Sequence, residues 1–276
     1  MMAHPSHPGA NHSCPATMTD TTALTPGRPL FQITGFQFRL WPIILAAILM
    51  QAMLWPAREG ARWLFKREAD FFHHQIWAFV GLAELFQIAT GLAAILLMRR
   101  WLPRADSNLR WPPARSYVGL AVLIGVGMAA IMLVADYWPQ LVSHTAPKHD
   151  YEMTAVGIPG WLAVMFAAGP NEEIIFRGVL VGMLTVLVPG RVRLGQFEIP
   201  ISGVIVSLLF GLAHYGSFFS DPLYQAIAQQ LYAFVFGLTY VWLMERSRSL
   251  LAPMIAHGVG DLLEVAAVML LSVVWA

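Results

Sequence analysis

Three short runs in the C-terminal part of the chain carry residues able to do chemistry. The first is Pro170-Asn-Glu-Glu-Ile-Ile-Phe-Arg177, set within an apolar stretch. Glu173 and Arg177 are four residues apart, so on a helix they share a face and can pair. A buried arginine with a carboxylate partner is far less costly than either charge alone. Glu172 then points about 100° away around the helix. It is left as the unpaired acid, the form that suits a general base or acid. Pro170 and Asn171 are expected to loosen the helix just before the acids and admit water. The plainer alternative is a structural ion pair beside a glutamate that packs between helices.

The second run is Phe210-Gly-Leu-Ala-His214, at the end of an apolar segment. Its Phe and His are one turn apart. Taken alone, this histidine reads as one hydrogen-bonded at a helix interface. The third is His257-Gly-Val-Gly-Asp261, with Glu264 three residues on. Positions i, i+4 and i+7 form one helical stripe. Gly258 and Gly260 leave room for a backbone or a substrate to come close. Ionisable groups inside membrane spans are costly and mark function by default. Glu84 is the one such group before residue 170 and takes no role from spacing. Polar stripes on three separate spans satisfy one another only by converging.

The residue types narrow the reaction. No HExxH is present, so the zincin arrangement is absent, and no GxSxG is present either. Ser202, Ser207 and Ser217 lack the strand–turn–helix setting of a serine nucleophile. Cys14, the one cysteine, lies in the N-terminal tail. What remains is water attack driven by Glu and His, or a metal held by His214, His257 and Glu172. Both lead to hydrolysis. Proton-coupled transport through the same acids is the reading from a different class.

The elements that must position these residues are membrane helices. Of 276 residues, 57% are hydrophobic and 12% are charged. Soluble domains carry about 25% charge. A net charge of +1 and this composition argue against a nucleic-acid partner and against disorder over most of the chain. Residues 1–35 read as a disordered tail, 36–154 as helices without a motif, and 155–276 as the catalytic helical core. A span needs roughly 20 mainly apolar residues. Seven stretches qualify or nearly so: 40–57, 76–98, 117–135, 160–188, 200–215, 223–244 and 250–275. The expected fold is an all-α bundle of about seven transmembrane helices. Trp41, Trp55, Trp77, Trp101, Trp138, Trp161 and Trp275 fall near span ends, as an interfacial belt would have them. Gly119, Gly125 and Gly127 would let helices approach closely. With seven spans, 11 Lys and Arg lie on the N-terminal side and 5 on the other. The bias favours a cytoplasmic N-terminus, opposed by the cluster Arg58–Arg67, which reads either as an interfacial helix or as a sign that the span count is off by one. His73 and His74 also read as interfacial.

Together the motifs EExxxR (Glu172, Glu173, Arg177), FxxxH (Phe210, His214) and HxxxN/D (His257, Asp261) resemble the CPBP family of intramembrane proteases. That family includes the type II CAAX prenyl endopeptidases and the bacterial Abi proteins. The resemblance covers roughly residues 155–275. It implies an endopeptidase acting on a membrane-tethered or membrane-adjacent peptide. Glu172 would activate water, His214 would hold and polarise it, and His257 and Asp261 would stabilise the oxyanion. Arg177 would brace Glu173. Phe210 and Glu264 count as supporting residues; the family assigns Glu264 no role, and it reads either as a partner for Asp261 or as a capped or interhelically bonded acid. The prenyl endopeptidases carry Asn where this chain has Asp261. An ionised Asp cannot donate to an oxyanion, so Asp261 is either protonated or acts by orienting His257. The difference weakens the inference that the substrate is prenylated. No cofactor is required, with zinc on His214, His257 and Glu172 as the alternative. Beyond hydrolysis stand a non-catalytic Abi-type immunity or scaffold protein and a proton-coupled transporter. The expected location is a bacterial inner membrane, with the lipid bilayer as a partner.

Overall fold

The computed structural model describes residues 31–276. Most of the predicted tail therefore lies outside the described residues, as does Cys14. Its last part is not loose: Phe31–Thr34 is a strand, β1. The helices are α1 (Leu40–Arg67), α2 (Ile76–Trp101), α3 (Val118–Ser143) and α4 (Gly157–Glu173). A π-helical segment, Ile174–Val181, runs on into α5 (Gly182–Leu187). After the hairpin β2 (Arg191–Leu194) and β3 (Phe197–Pro200) come α6 (Ile201–Ala213), the short α7 (Ser217–Ser220), α8 (Leu223–Ser247) and α9 (Leu251–Val274). Six helical stretches are long and apolar enough to cross a membrane. The chain is an integral, multi-pass membrane protein with an all-α bundle.

The predicted stretch 160–188, which is not among these six, falls in a continuous rod over 157–187, about 30 residues and close to 45 Å at 1.5 Å per residue. Topology shows that it crosses as well. β1 precedes α1, β2 follows α5, and the two pair antiparallel in one sheet, Phe31 opposite Leu194. Both therefore lie on the same face of the bundle. An even number of crossings must separate them, and α1, α2 and α3 supply only three. Other contacts agree. Leu250 donates its backbone N–H to Asn108 on the sheet-bearing face. Trp275, after α9, meets His144, after α3, on the opposite face.

The sheet was not anticipated from sequence, though its pattern is plain in retrospect. Phe31, Ile33, Val192, Leu194, Phe197 and Ile199 alternate with Gln32, Thr34, Arg191, Arg193 and Glu198, the period of two that a half-buried strand requires. Gly195, at φ +59°, occupies the two-residue turn between Leu194 and Phe197, where hairpins favour glycine. Arg58–Arg67 is not a separate interfacial helix. It continues α1, whose 28 residues outlast the apolar span. Trp41, Trp55, Trp101 and Trp138 face outward, whereas Trp161 is buried and donates its indole N–H to Glu152. Of the glycines expected at helix crossings, Gly125 meets Ala256 and Val259 of α9, while Gly119 and Gly127 meet nothing.

Candidate active site

α4 and α9 cross at two glycines, and this crossing sets the site. A Cβ on Gly169 would lie 2.3 Å from the Met254 carbonyl oxygen, and one on Gly258 would lie 2.4 Å from that of Phe166. Only residues without a side chain let the two backbones come this close. One turn beyond Gly169 the rod presents Glu172 and Glu173 to His257, the residue before Gly258. Pro170 does not open the helix ahead of the acids. α4 stays regular to Glu173, and the departure follows as the π-helical turns of Ile174–Val181. Such wide turns commonly mark functional positions.

The adjacent acids have different surroundings. Glu173 is fully buried, and its Oε1 accepts from Arg177 Nη1 at 2.9 Å and lies 3.0 Å from His257 Nδ1. That carboxylate oxygen only accepts, so Nδ1 carries the hydrogen. Arg177, also fully buried, has its guanidinium 4.5 Å from the ring centre of Phe210 and 4.9 Å from that of Tyr240. Its Nε and Nη2 lack hydrogen-bond acceptors among the described residues. The aromatic faces beside the guanidinium supply cation–π contacts instead. Tyr240 also stacks on the His257 ring, at 4.9 Å and an interplanar angle of 15°. His257 is thus held at one nitrogen and on one face. Its Nε2 lies 3.4 Å from Asp261 Oδ2 and 3.8 Å from Glu172 Oε2. Glu172 Oε2 is buried with no hydrogen-bond partner among the described residues.

His214 follows the last residue of α6. Its Nδ1 is 2.9 Å from the Phe210 carbonyl oxygen, which can only accept, so Nδ1 donates and Nε2 is left bare. The Phe210 ring stands edge-on to His214 at 5.1 Å and to His257 at 5.8 Å. His214 and Glu172 line one polar cavity of about 330 Å³. Gln51 and Arg58 of α1 line it too, as do Glu84 and Gln87 of α2 and Asn171 of α4. Its walls come from the half of the bundle away from the sheet.

The structure therefore brings together Glu172, Glu173, Arg177, Phe210, His214, His257 and Asp261. Glu264 is not hydrogen-bonded to Asp261, or to any other described residue. Tyr240, Gln87 and Arg58 had no legible role in the sequence. The acidic Glu84 was visible only as a misplaced charge. Zinc on Glu172, His214 and His257 does not fit this arrangement. Phe210 packs edge-on against both histidines, His257 Nδ1 is committed to Glu173, and among the described residues no three His, Cys, Asp or Glu side chains converge as a metal requires.

These acids, histidines and the arginine are carried by helices of the bundle or sit at their ends. Residues 154–263 match the family model of the type II CAAX prenyl endopeptidases, Rce1-like, so the chain carries an Rce1-like domain over that segment. At the general level, the match supports a CAAX-type intramembrane protease over that segment. Neither the curated proteins nor the solved structures give a match to the chain.

Proposed function

We propose that the protein is an intramembrane endopeptidase in which Glu172 activates water against a peptide carbonyl. One observation carries this reading. Of two adjacent acids, Glu173 is bound by Arg177 and His257, while Glu172 lines the polar cavity and its Oε2, 3.8 Å from His257 Nε2, has no hydrogen-bond partner among the described residues. A general base needs a free lone pair and room for the water it activates. Glu172 has both.

Water held between Glu172 and the bare Nε2 of His214 gives one proton to Glu172 as its oxygen attacks the carbonyl carbon. The oxyanion that forms is met by Nε2–H of His257, which in this step carries hydrogen on both ring nitrogens as an imidazolium among Glu173, Asp261 and Glu172. Glu173 and Tyr240 fix that ring, and Asp261 orients the Nε2 proton. In this role Asp261 works through His257 and need not donate, which accounts for a carboxylate where the prenyl endopeptidases carry Asn. Aimed donors at a developing oxyanion are commonly worth 10²–10³-fold in rate. The C–N bond then breaks and the amine leaves with a proton. The substrate is a membrane-anchored or membrane-adjacent peptide. The host membrane is a bacterial plasma membrane, with the cation-rich, sheet-bearing face in the cytoplasm.

Glu172→Ala and His214→Ala are expected to abolish cleavage of a membrane-tethered reporter while leaving the thermal melt unchanged. Wild-type cleavage by either variant would sink the mechanism. Exhaustive chelation is expected to leave the rate unchanged. A loss that zinc restores would contradict a purely protein-based site.

A further inference from the structure

We propose that Glu84 is the second carboxylate of this reaction, the group that holds the proton delivered to the leaving amine. The proposal rests on Glu172 being the base. Val80, Ala83, Glu84 and Gln87 all line the catalytic cavity. Their spacing of i, i+3, i+4 and i+7 makes them one face of α2. Gln87 accepts a hydrogen bond from Asn171 Nδ2 at 2.7 Å. Asn171 immediately precedes Glu172, so this bond fastens the acid-bearing face of α2 to the end of α4 across the cavity wall. Glu84 is 8% exposed and its Oε2 has no hydrogen-bond partner among the described residues. A buried acid with no structural partner, inside a span and on the wall of a polar cavity, is placed for chemistry rather than for packing.

The surroundings fix what the pair can do. Glu172 from α4, Arg58 from α1 and His214 beyond α6 line the same cavity as Glu84, and its charged neighbours are Glu172, Asp261 and His257. On its other side an apolar groove runs past Phe72, Trp77 and Leu85, with His73 at its wall. Two carboxylates lining one small cavity are costly to ionise together. They hold one proton between them, as interacting acids do. In the resting site that proton is on Glu84 and Glu172 is the free base. Attack by water adds hydroxide to the carbonyl carbon and moves one water proton to Glu172. Collapse breaks the C–N bond, and Glu84 gives its proton to the amine nitrogen. The pair again holds one proton, now on Glu172, and its return to Glu84 resets the site.

The test compares pH–rate profiles of the full-length protein and its variants in liposomes, cutting a membrane-tethered peptide. Glu172→Gln is expected to be inactive. Glu84→Gln is expected to melt as wild type and to keep KM. Its kcat should fall about 10²–10⁴-fold. Its residual activity should lose the decline on the alkaline side, where the donor deprotonates. Glu84→Asp should recover rate and decline together. Wild-type kcat and profile in Glu84→Gln would overturn this proposal and leave Glu172 as the base. Activity in Glu172→Gln would overturn the reading beneath it. Should Glu84→Gln fail to fold, infrared titration decides. Glu172→Gln should move a protonated-carboxyl band to a different pH, and an unmoved band would overturn the shared proton.

Discussion

Arg177 and Glu173 lie 2.9 Å apart with neither side chain exposed, while Arg191 reaches Glu198 at 2.6 Å and Glu245 at 3.0 Å with 40% of its side chain exposed. The chemistry of the two contacts is the same, but the depth differs. At the sheet, water and counterions compete with each contact, so the arginine fastens β2 to β3 and α8 only modestly. In the bundle nothing competes. There the pair fixes where Glu173 stands, and Glu173 fixes the ring of His257. Deep burial turns an ordinary ion pair into a positioning device, at the cost that neither partner can be lost alone.

The largest effect should come from breaking the deep pair on one side. Arg177→Met leaves Glu173 buried without a counter-charge and should cost about 3–5 kcal/mol, read as a large drop in Tm. Removing both charges sharpens the comparison. Arg177→Met with Glu173→Leu should recover most of the lost stability, since apolar replacements of buried pairs are often neutral. It should remain inactive, because His257 has lost its Nδ1 partner. Active double variants would show that Glu173 does not position the histidine. Gly258→Val comes next. Its side chain would meet the Phe166 carbonyl of α4. A loss of about 1–3 kcal/mol or more is expected, with a drop in kcat as Glu172 and His257 move apart. Arg191→Ala should be the smallest, under about 1 kcal/mol, further reduced by salt and with cleavage unchanged. A large loss there would erase the distinction between the two regions.

Much of this was legible in the sequence because the bilayer makes misplaced charge conspicuous. The spans follow from apolar length, and Glu173 with Arg177 follows from helical spacing. Convergence of three motifs follows from the impossibility of leaving their polar groups in lipid. Other features were hidden for physical reasons. Tyr240 is an aromatic residue in an apolar span, and nothing local distinguishes a ring that stacks on a histidine from one that faces lipid. Gln87 and Asn171 meet across 84 positions, a pairing that no local pattern encodes. The sheet alternates over only four residues per strand, too short to stand out beside helices of more than 20. Glu264 misled because a helical stripe sets direction around one helix but not which neighbour lies there.

Glu172→Gln and Glu173→Gln, measured side by side for cleavage of a membrane-tethered peptide and for thermal melting, test the central claim most directly. The account predicts that Glu172→Gln loses about 10²–10⁴ in kcat at an unchanged Tm, whereas Glu173→Gln loses Tm as well as rate. A Glu172→Gln protein that cleaves within a few-fold of wild type would contradict it.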